Sequence, residues 1–187
     1  SADEFSSIAI DDRKAAYEAT KYLMQLGHKK IAFMASELKN YGIMRLRLVG
    51  YKQALDEAGI PYDEALIENA RSFSIKSGYQ AFQELNQRCG GRFTAVFAIA
   101  DTLAIGCLRA AKEAGYQLPE DLSVMGFDGI EFGAYYYPSL TTVRQPYEYM
   151  AEQAIFMMRG LLDNEDNRHV VLNAEIVERE SCAKRGE

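Results

Sequence analysis

Cysteine and histidine are scarce in this 187-residue sequence, and the scarcity removes several chemistries. The three cysteines, Cys89, Cys107 and Cys182, are odd in number and sit at no metal-ligand spacing. A disulfide scaffold and a zinc site are therefore not expected, and reduced thiols fit a cytoplasmic protein. Cys107 falls in an apolar helical run and reads as a small core residue. His28 and His169 lie too far from the cysteines to complete a metal site, so neither a metal nor another cofactor is expected. No apolar run approaches the ~20 residues of a membrane span, which removes a membrane partner. Also missing is a basic stripe. Net charge is −6 and the cations come in ones and twos, as at Lys29-Lys30 and Arg45/Arg47, so this stretch is not expected to hold DNA by its own charge. There is no phosphate loop, no nucleophile elbow and no dinucleotide-binding glycine motif after a strand. No catalytic residues are assigned; Asp128 and Glu131 are a possible carboxylate pair without a nearby histidine or cysteine. The polar, acidic start is not a signal peptide, and without an initiator methionine the chain is expected to begin inside a longer product.

Ordinary globular composition remains, with 48% apolar and 26% charged residues. No repeat or low-complexity stretch interrupts it. Strand and helix signals alternate, which predicts an α/β fold with a parallel sheet covered on both faces, a three-layer sandwich. Strands are expected at Ser7 to Ile10, Ile31 to Ala35, Ala70 to Phe73, Ala95 to Ile99 and Leu122 to Phe127. The last two are continuous apolar runs of the kind buried on both faces. Helical spacing links Ala15, Ala16, Ala19, Leu23 and Leu26, then Leu48, Tyr51, Leu55 and Ala58, then Ile75, Tyr79, Phe82 and Leu85, then Leu103, Cys107, Ala110 and Ala114. Gly27, Gly59 and Gly115 are placed to end three of these helices. Polar loops are expected at Ser36 to Gly42 and Asn164 to Arg168. Beyond Pro138, Leu140 to Val143 reads as an extended linker, Tyr147 to Leu162 as a fifth helix and Val170 to Val177 as strand.

Ligands of open parallel sheets bind beyond the carboxyl ends of the strands. Asp11-Asp12, Ser36 to Asn40, Phe73-Ser74, Ala100-Asp101 and Phe127-Asp128 all fall there. Carboxylates, an arginine fork and an aromatic face are what a polyol or sugar requires. Helix capping explains Asp11, Asp12 and Asp101 equally well, a turn explains Asp128, and Phe73 could be plain core. Arg45 and Arg47 open a helix, where a cation opposes the dipole, which hints at a partner for one of them. Tyr135, Tyr136 and Tyr137 read as core, ligand platform or subunit interface, and tyrosine enrichment at interfaces favours the last.

Three ordered blocks carry a resemblance to a known family. They are Leu26-Gly-His-Lys-Lys-Ile-Ala-Phe33 with Arg47-Leu-Val-Gly-Tyr51 downstream, Phe93 to Asp101 with Ala104-Ile-Gly106, and Leu118 to Asp128 with Pro138 to Pro146. With the closing Arg179-Glu-Ser181, the chain resembles the effector-binding core of LacI/GalR bacterial transcription regulators along essentially its whole length. The resemblance implies a periplasmic-binding-protein-like (type I) fold, with residues 1–143 as one lobe. Residues 144–168 would hold a helix returning to the other lobe, and 169–187 a tail crossing back. It implies a sugar-like effector between lobes, a homodimer, and operator DNA read by a helix-turn-helix head outside this stretch. By motif position it assigns effector contacts to Arg47, Phe73, Asp128, Gln145, Tyr147 and Ile10. Ala100 stands where the family often has an effector-binding asparagine, a departure that implies either an effector other than a simple hexose or another residue in the asparagine's place. For Asp101 helix capping is preferred. The expected action is a ligand-shifted lobe arrangement without catalysis. The rivals are a periplasmic sugar-binding transport receptor of the same fold and a small α/β enzyme using Asp128 and Glu131.

Overall fold

The computed structural model describes residues 5–36, 42–162 and 167–185. Most of the loop expected at Ser36 to Gly42, and of the turn at Asn164 to Arg168, lies outside the described residues. The elements run β1 (Ser7–Ile10), α1 (Asp12–Gln25), β2 (Ile31–Ser36), α2 (Ile43–Glu57), β3 (Ile67–Ala70), α3 (Ile75–Cys89), β4 (Ala95–Ala98) and α4 (Asp101–Glu113). They continue with β5 (Ser123–Asp128), α5 (Glu131–Tyr135), β6 (Thr141–Arg144), α6 (Tyr147–Leu162), β7 (His169–Leu172) and β8 (Glu175–Val177). The main sheet has the order β3-β2-β4-β5-β6-β8. Its strands are parallel except β8, which is antiparallel to β6. This is the mixed α/β, mostly parallel architecture expected from the alternation of strand and helix signals.

β2 and β4 are buried at every residue because helices cover both faces of the sheet. Right-handed crossovers place α1 and α2 together on one face and α3 and α4 together on the other. Each helix pair closes through glycine. A Cβ added at Gly50 of α2 would lie 2.1 Å from the Arg13 carbonyl of α1, and one at Gly78 of α3 would lie 2.2 Å from the Leu103 carbonyl of α4. Phe33, Phe97 and Phe127 run across β2, β4 and β5 with ring centroids 5.6 and 6.5 Å apart, forming the aromatic spine of the core.

Five sequence expectations change. The third strand ends at Ala70 rather than Phe73, because buried Glu68 breaks the apolar pattern and Arg71 to Phe73 form bends. The segment read as a linker is β6, an integral strand between β5 and β8. The strand signal across Val170 to Val177 is two strands that separate. β8 joins the main sheet, whereas β7 pairs in parallel with β1 as a second, two-stranded sheet. β1, grouped from the sequence with the larger unit, therefore stands with β7 instead. Exposed Ala58 caps α2 rather than facing the core.

Candidate ligand-binding site

The strand order reverses direction between β2 and β4, the point at which open α/β sheets place ligands. Arg47 reaches this point from the second turn of α2 and is buried. Its Nε donates to Asp12 Oδ1 at 2.8 Å, and Nη1 donates to the Ile99 carbonyl at 2.6 Å. The guanidinium carbon lies 3.5 Å from the centroid of the Phe127 ring. Nη2 makes no hydrogen bond among the described residues. The partner hinted at by a cation near a helix start is thus Asp12, the first residue of α1. Asp11 precedes it as the true N-cap, accepting from the Lys14 amide at 2.9 Å.

Asp128 ends β5 at φ +110°, alone among the described non-glycine residues in the left-handed region. Its Oδ1 accepts from Gln145 Nε2 at 2.8 Å. Burial raises its pKa above the ordinary carboxylate value, while Arg47 and the Gln145 bond pull it down and Asp12 pushes it up. Tyr147 follows Gln145 on α6 and is about half exposed. Its phenol is raised by burial and by Asp128, with Arg47 opposing. Asp101 does not cap its own helix; the capping role preferred from sequence is replaced by a tertiary one. Fully buried, its Oδ2 accepts from the amides of Gly129 and Ile130 at 2.8 Å each, and its Oδ1 from Thr142 Oγ1 at 2.6 Å. The carboxylate thus fixes the turn that carries Asp128. Burial outweighs these bonds and pushes its pKa up to about 6, with Asp128 adding to the rise. Gly126 is required beside it, since a Cβ there would fall 2.2 Å from Asp101 Oδ1.

Residues 20–182 match the family model for the periplasmic binding protein-like domain. The chain belongs to this family. Among curated proteins it is 39% identical over 181 residues to the HTH-type transcriptional regulator MalR of Clostridium butyricum, covering 95% of this chain and 52% of that protein. A LacI family transcriptional regulator from Enterococcus faecium, solved with bound ribose, superposes with a TM-score of 0.87 at 32% identity, over 97% of this chain and 67% of that one. The transcriptional regulator CelR in complex with cellobiose gives a TM-score of 0.87 at 32% identity, over 96% of this chain and 54% of that chain. The likeness to LacI-type regulator cores read from the three blocks is thereby supported. The chain spans about half the length of the curated relatives it matches.

Within this periplasmic-binding-protein-like fold, Arg47, Asp12, Asp128, Gln145, Asp101 and Tyr147 form one polar cluster. Ala100 is buried at the start of α4, offers no side-chain cap, and directly follows Ile99, the carbonyl partner of Arg47. Phe73 is 39% exposed at the sheet's carboxyl edge, and its carbonyl accepts from Thr102 Oγ1. Ile10 is buried in the core, directly before Asp11-Asp12. The three tyrosines lie at the end of α5. Tyr136 packs on the core, whereas Tyr135 and Tyr137 are strongly exposed. Sequence reasoning missed Phe127 as the face beneath Arg47 and Thr142 as the partner of Asp101. Ser36, placed at this edge by the sequence, has its hydroxyl buried at the carboxyl end of β2 without a hydrogen-bond partner. A residue offered to the site across a strand gap leaves no mark in linear spacing. Among the described residues no group of three or more His, Cys, Asp or Glu could hold a metal ion. No helix there is long and apolar enough to cross a membrane.

Proposed function

We propose that this chain is the effector-sensing core segment of a LacI-type transcription regulator, taking a hydroxyl-rich, sugar-like effector. The observation that carries the reading is the Asp12–Arg47–Asp128–Gln145 cluster at the topological switch point. Arg47 Nη2 and the second oxygen of Asp128 make no hydrogen bond among the described residues, Tyr147 lies half-exposed beside them, and Phe73 is part-exposed at the same edge of the sheet. Alternating donors, acceptors and aromatic faces suit a polyol, whose hydroxyls both donate and accept. Relatives solved with ribose and with cellobiose support the same ligand class.

The two separate sheets support a division into lobes. The six-stranded sheet and its helices would form one lobe, from α1 to β6 together with the β8 tail. β1, α6 and β7 belong to the other lobe, the remainder of which lies outside this chain. The effector acts by binding one lobe arrangement better than another. In this reading the effector is bound and released without reaction. The protein works in the cytoplasm as a homodimer, with Tyr135 and Tyr137 at the subunit interface, and operator DNA is read by a helix-turn-helix segment beyond this chain. The HTH-type names of the curated relatives leave the transport-receptor alternative unsupported. The test is a panel of pentoses, hexoses and disaccharides titrated into the intact regulator by calorimetry. Arg47→Ala should abolish the response to the sugar that binds, with operator binding retained. Unchanged affinity in Arg47→Ala would remove Arg47 from the site, and turnover of any sugar would revive the enzyme reading.

A further inference from the structure

We propose that the cavity at the opposite pole of the main sheet binds a phosphate monoester with an apolar body, held by Lys29, Lys30 and Arg92. The cavity has a volume of about 440 Å³, which lies within the ordinary range for small-molecule sites. It opens where three connections meet. The α1–β2 turn supplies Lys29 and Lys30, the α2–β3 connection supplies Ile60, Pro61 and Leu66, and the α3–β4 turn supplies Arg92. All three connections lead into the amino ends of strands. The cavity is therefore separated by the length of the sheet from Arg47 and Asp128 at the carboxyl ends.

Its walls divide the chemistry in two. Leu66 is buried and Ile60 packs on the core, so one wall is fixed and apolar. The other carries three exposed cations, none of which has an ion pair among the described residues. Arg92 Nε donates to the Cys89 carbonyl at 3.1 Å, which anchors the root of the guanidinium and leaves its terminal nitrogens for another acceptor. Asp63 is the carboxylate on the rim, and its Oδ1 is engaged by the Ala65 amide at 2.9 Å. Three unpaired cations around an apolar hollow run against the net charge of −6. An anion with spread oxygens matches one arginine fork and two lysine point charges. The apolar wall gives the rest of such a molecule a place to leave water.

The probe is phenyl phosphate, titrated into the intact protein by calorimetry, with amide shifts followed by NMR. Saturable binding is expected, with shifts at the amides of Ile60, Leu66 and Arg92 and an affinity that falls with added salt. Inorganic phosphate and phenol, each alone, should bind at least about tenfold more weakly. Lys30→Ala/Arg92→Ala should weaken phenyl phosphate by at least about tenfold without moving the unfolding midpoint, because both side chains are exposed. Lys29→Gln/Lys30→Gln serves as a second charge-removing variant with the same expected loss. Shifts at Asp128 and Gln145 instead of the pole, absence of saturation, or full affinity in both variants would overturn the assignment. The proposal does not depend on what occupies the cluster around Arg47, so the two readings fail separately.

Discussion

Replacing Asp12 with Ala removes the carboxylate that faces Arg47 Nε at 2.8 Å, in a pair whose side chains are each only 6% exposed. The guanidinium keeps the Ile99 carbonyl and the Phe127 ring, so it stays in place and loses its directly bonded counter-charge, with Asp128 the carboxylate left in reach. Breaking a buried pair from one side costs about 3–5 kcal/mol, because the remaining charge is left desolvated. The aromatic contact, about 2 kcal/mol when desolvated, exists in both forms and offsets nothing. Arg47→Met orphans Asp12 and also leaves the Ile99 carbonyl without its donor, which adds about 1–3 kcal/mol. Asp12→Ala/Arg47→Met leaves neither charge buried, so it should cost about 2–3 kcal/mol less than the sum of the single variants. Urea unfolding followed by circular dichroism, with slopes equal across the four proteins, reads these differences. The reasoning fails if Asp12→Ala costs less than about 1 kcal/mol, the value of an exposed pair, or if the two changes simply add.

Asp101 holds its proton more tightly folded, with a pKa of about 6, than at its free value of 3.8. Its contribution to stability is therefore full below pH 3.8 and is lost as pH rises through about 6. The stability of Asp101→Asn relative to the unsubstituted protein should accordingly rise with pH across that window in paired urea titrations, and a flat difference would contradict it. Gly78→Ala places a Cβ 2.2 Å from a backbone carbonyl of α4, so a loss of about 1–3 kcal/mol is expected in thermal unfolding as the helices part. Tyr135 and Tyr137 are 81% and 77% exposed. Changing both to Asp should weaken self-association in sedimentation without lowering the melting temperature, and an unchanged dimer would place the interface elsewhere.

The parts of this fold that were legible are those in which one residue type answers to one local cause. β4 and β5 announce themselves as apolar runs because both faces are covered, and Gly27, Gly59 and Gly115 end helices at φ +91°, +65° and +91°. What stayed hidden depends on partners distant in the chain. β6 read as a linker because Thr141 and Thr142 are polar, yet both are fully buried, with Thr142 bonded to Asp101 and Thr141 to Arg179 and Ser181. β1 and β7 pair across the whole chain, Ser7 against His169, which no local pattern signals. Glu68 masks β3 until Arg88, 2.8 Å away, is seen to supply its counter-charge. The site followed the same division. Arg47 betrayed itself by a cation's discomfort near a helix start, whereas Asp101 looked like a cap because the turn it holds lies 28 residues later.

Three chain connections join the two sheets, and the polar cluster adjoins them. β1 enters α1 through Asp11, whose amide donates to the Leu172 carbonyl at 3.3 Å, next to the β7–β8 connection. Lys14 Nζ adds a bond to Asn173 Oδ1 on that connection at 3.0 Å. β6 enters α6 through Gln145, tied to Asp128 by both its amide and its side chain. A ligand bound by Arg47 and Asp128, as proposed, would engage the hydrogen-bond partners of Asp12, next to Asp11 on the first connection, and of Gln145 on the second. Moving a two-state equilibrium from 1:99 to 99:1 needs about 5.5 kcal/mol of differential affinity. Two or three charge-assisted hydrogen bonds made in one arrangement alone supply that, at about 1.5–3 kcal/mol each. Gln145→Ala frees the connection while leaving Arg47 and the Asp128 carboxylate in place. In the intact regulator its effect should fall on operator release by the bound sugar far more than on sugar affinity, with calorimetry and operator titration read side by side. If affinity and response decline in proportion, Gln145 is a ligand contact alone and the connection does not transmit the signal.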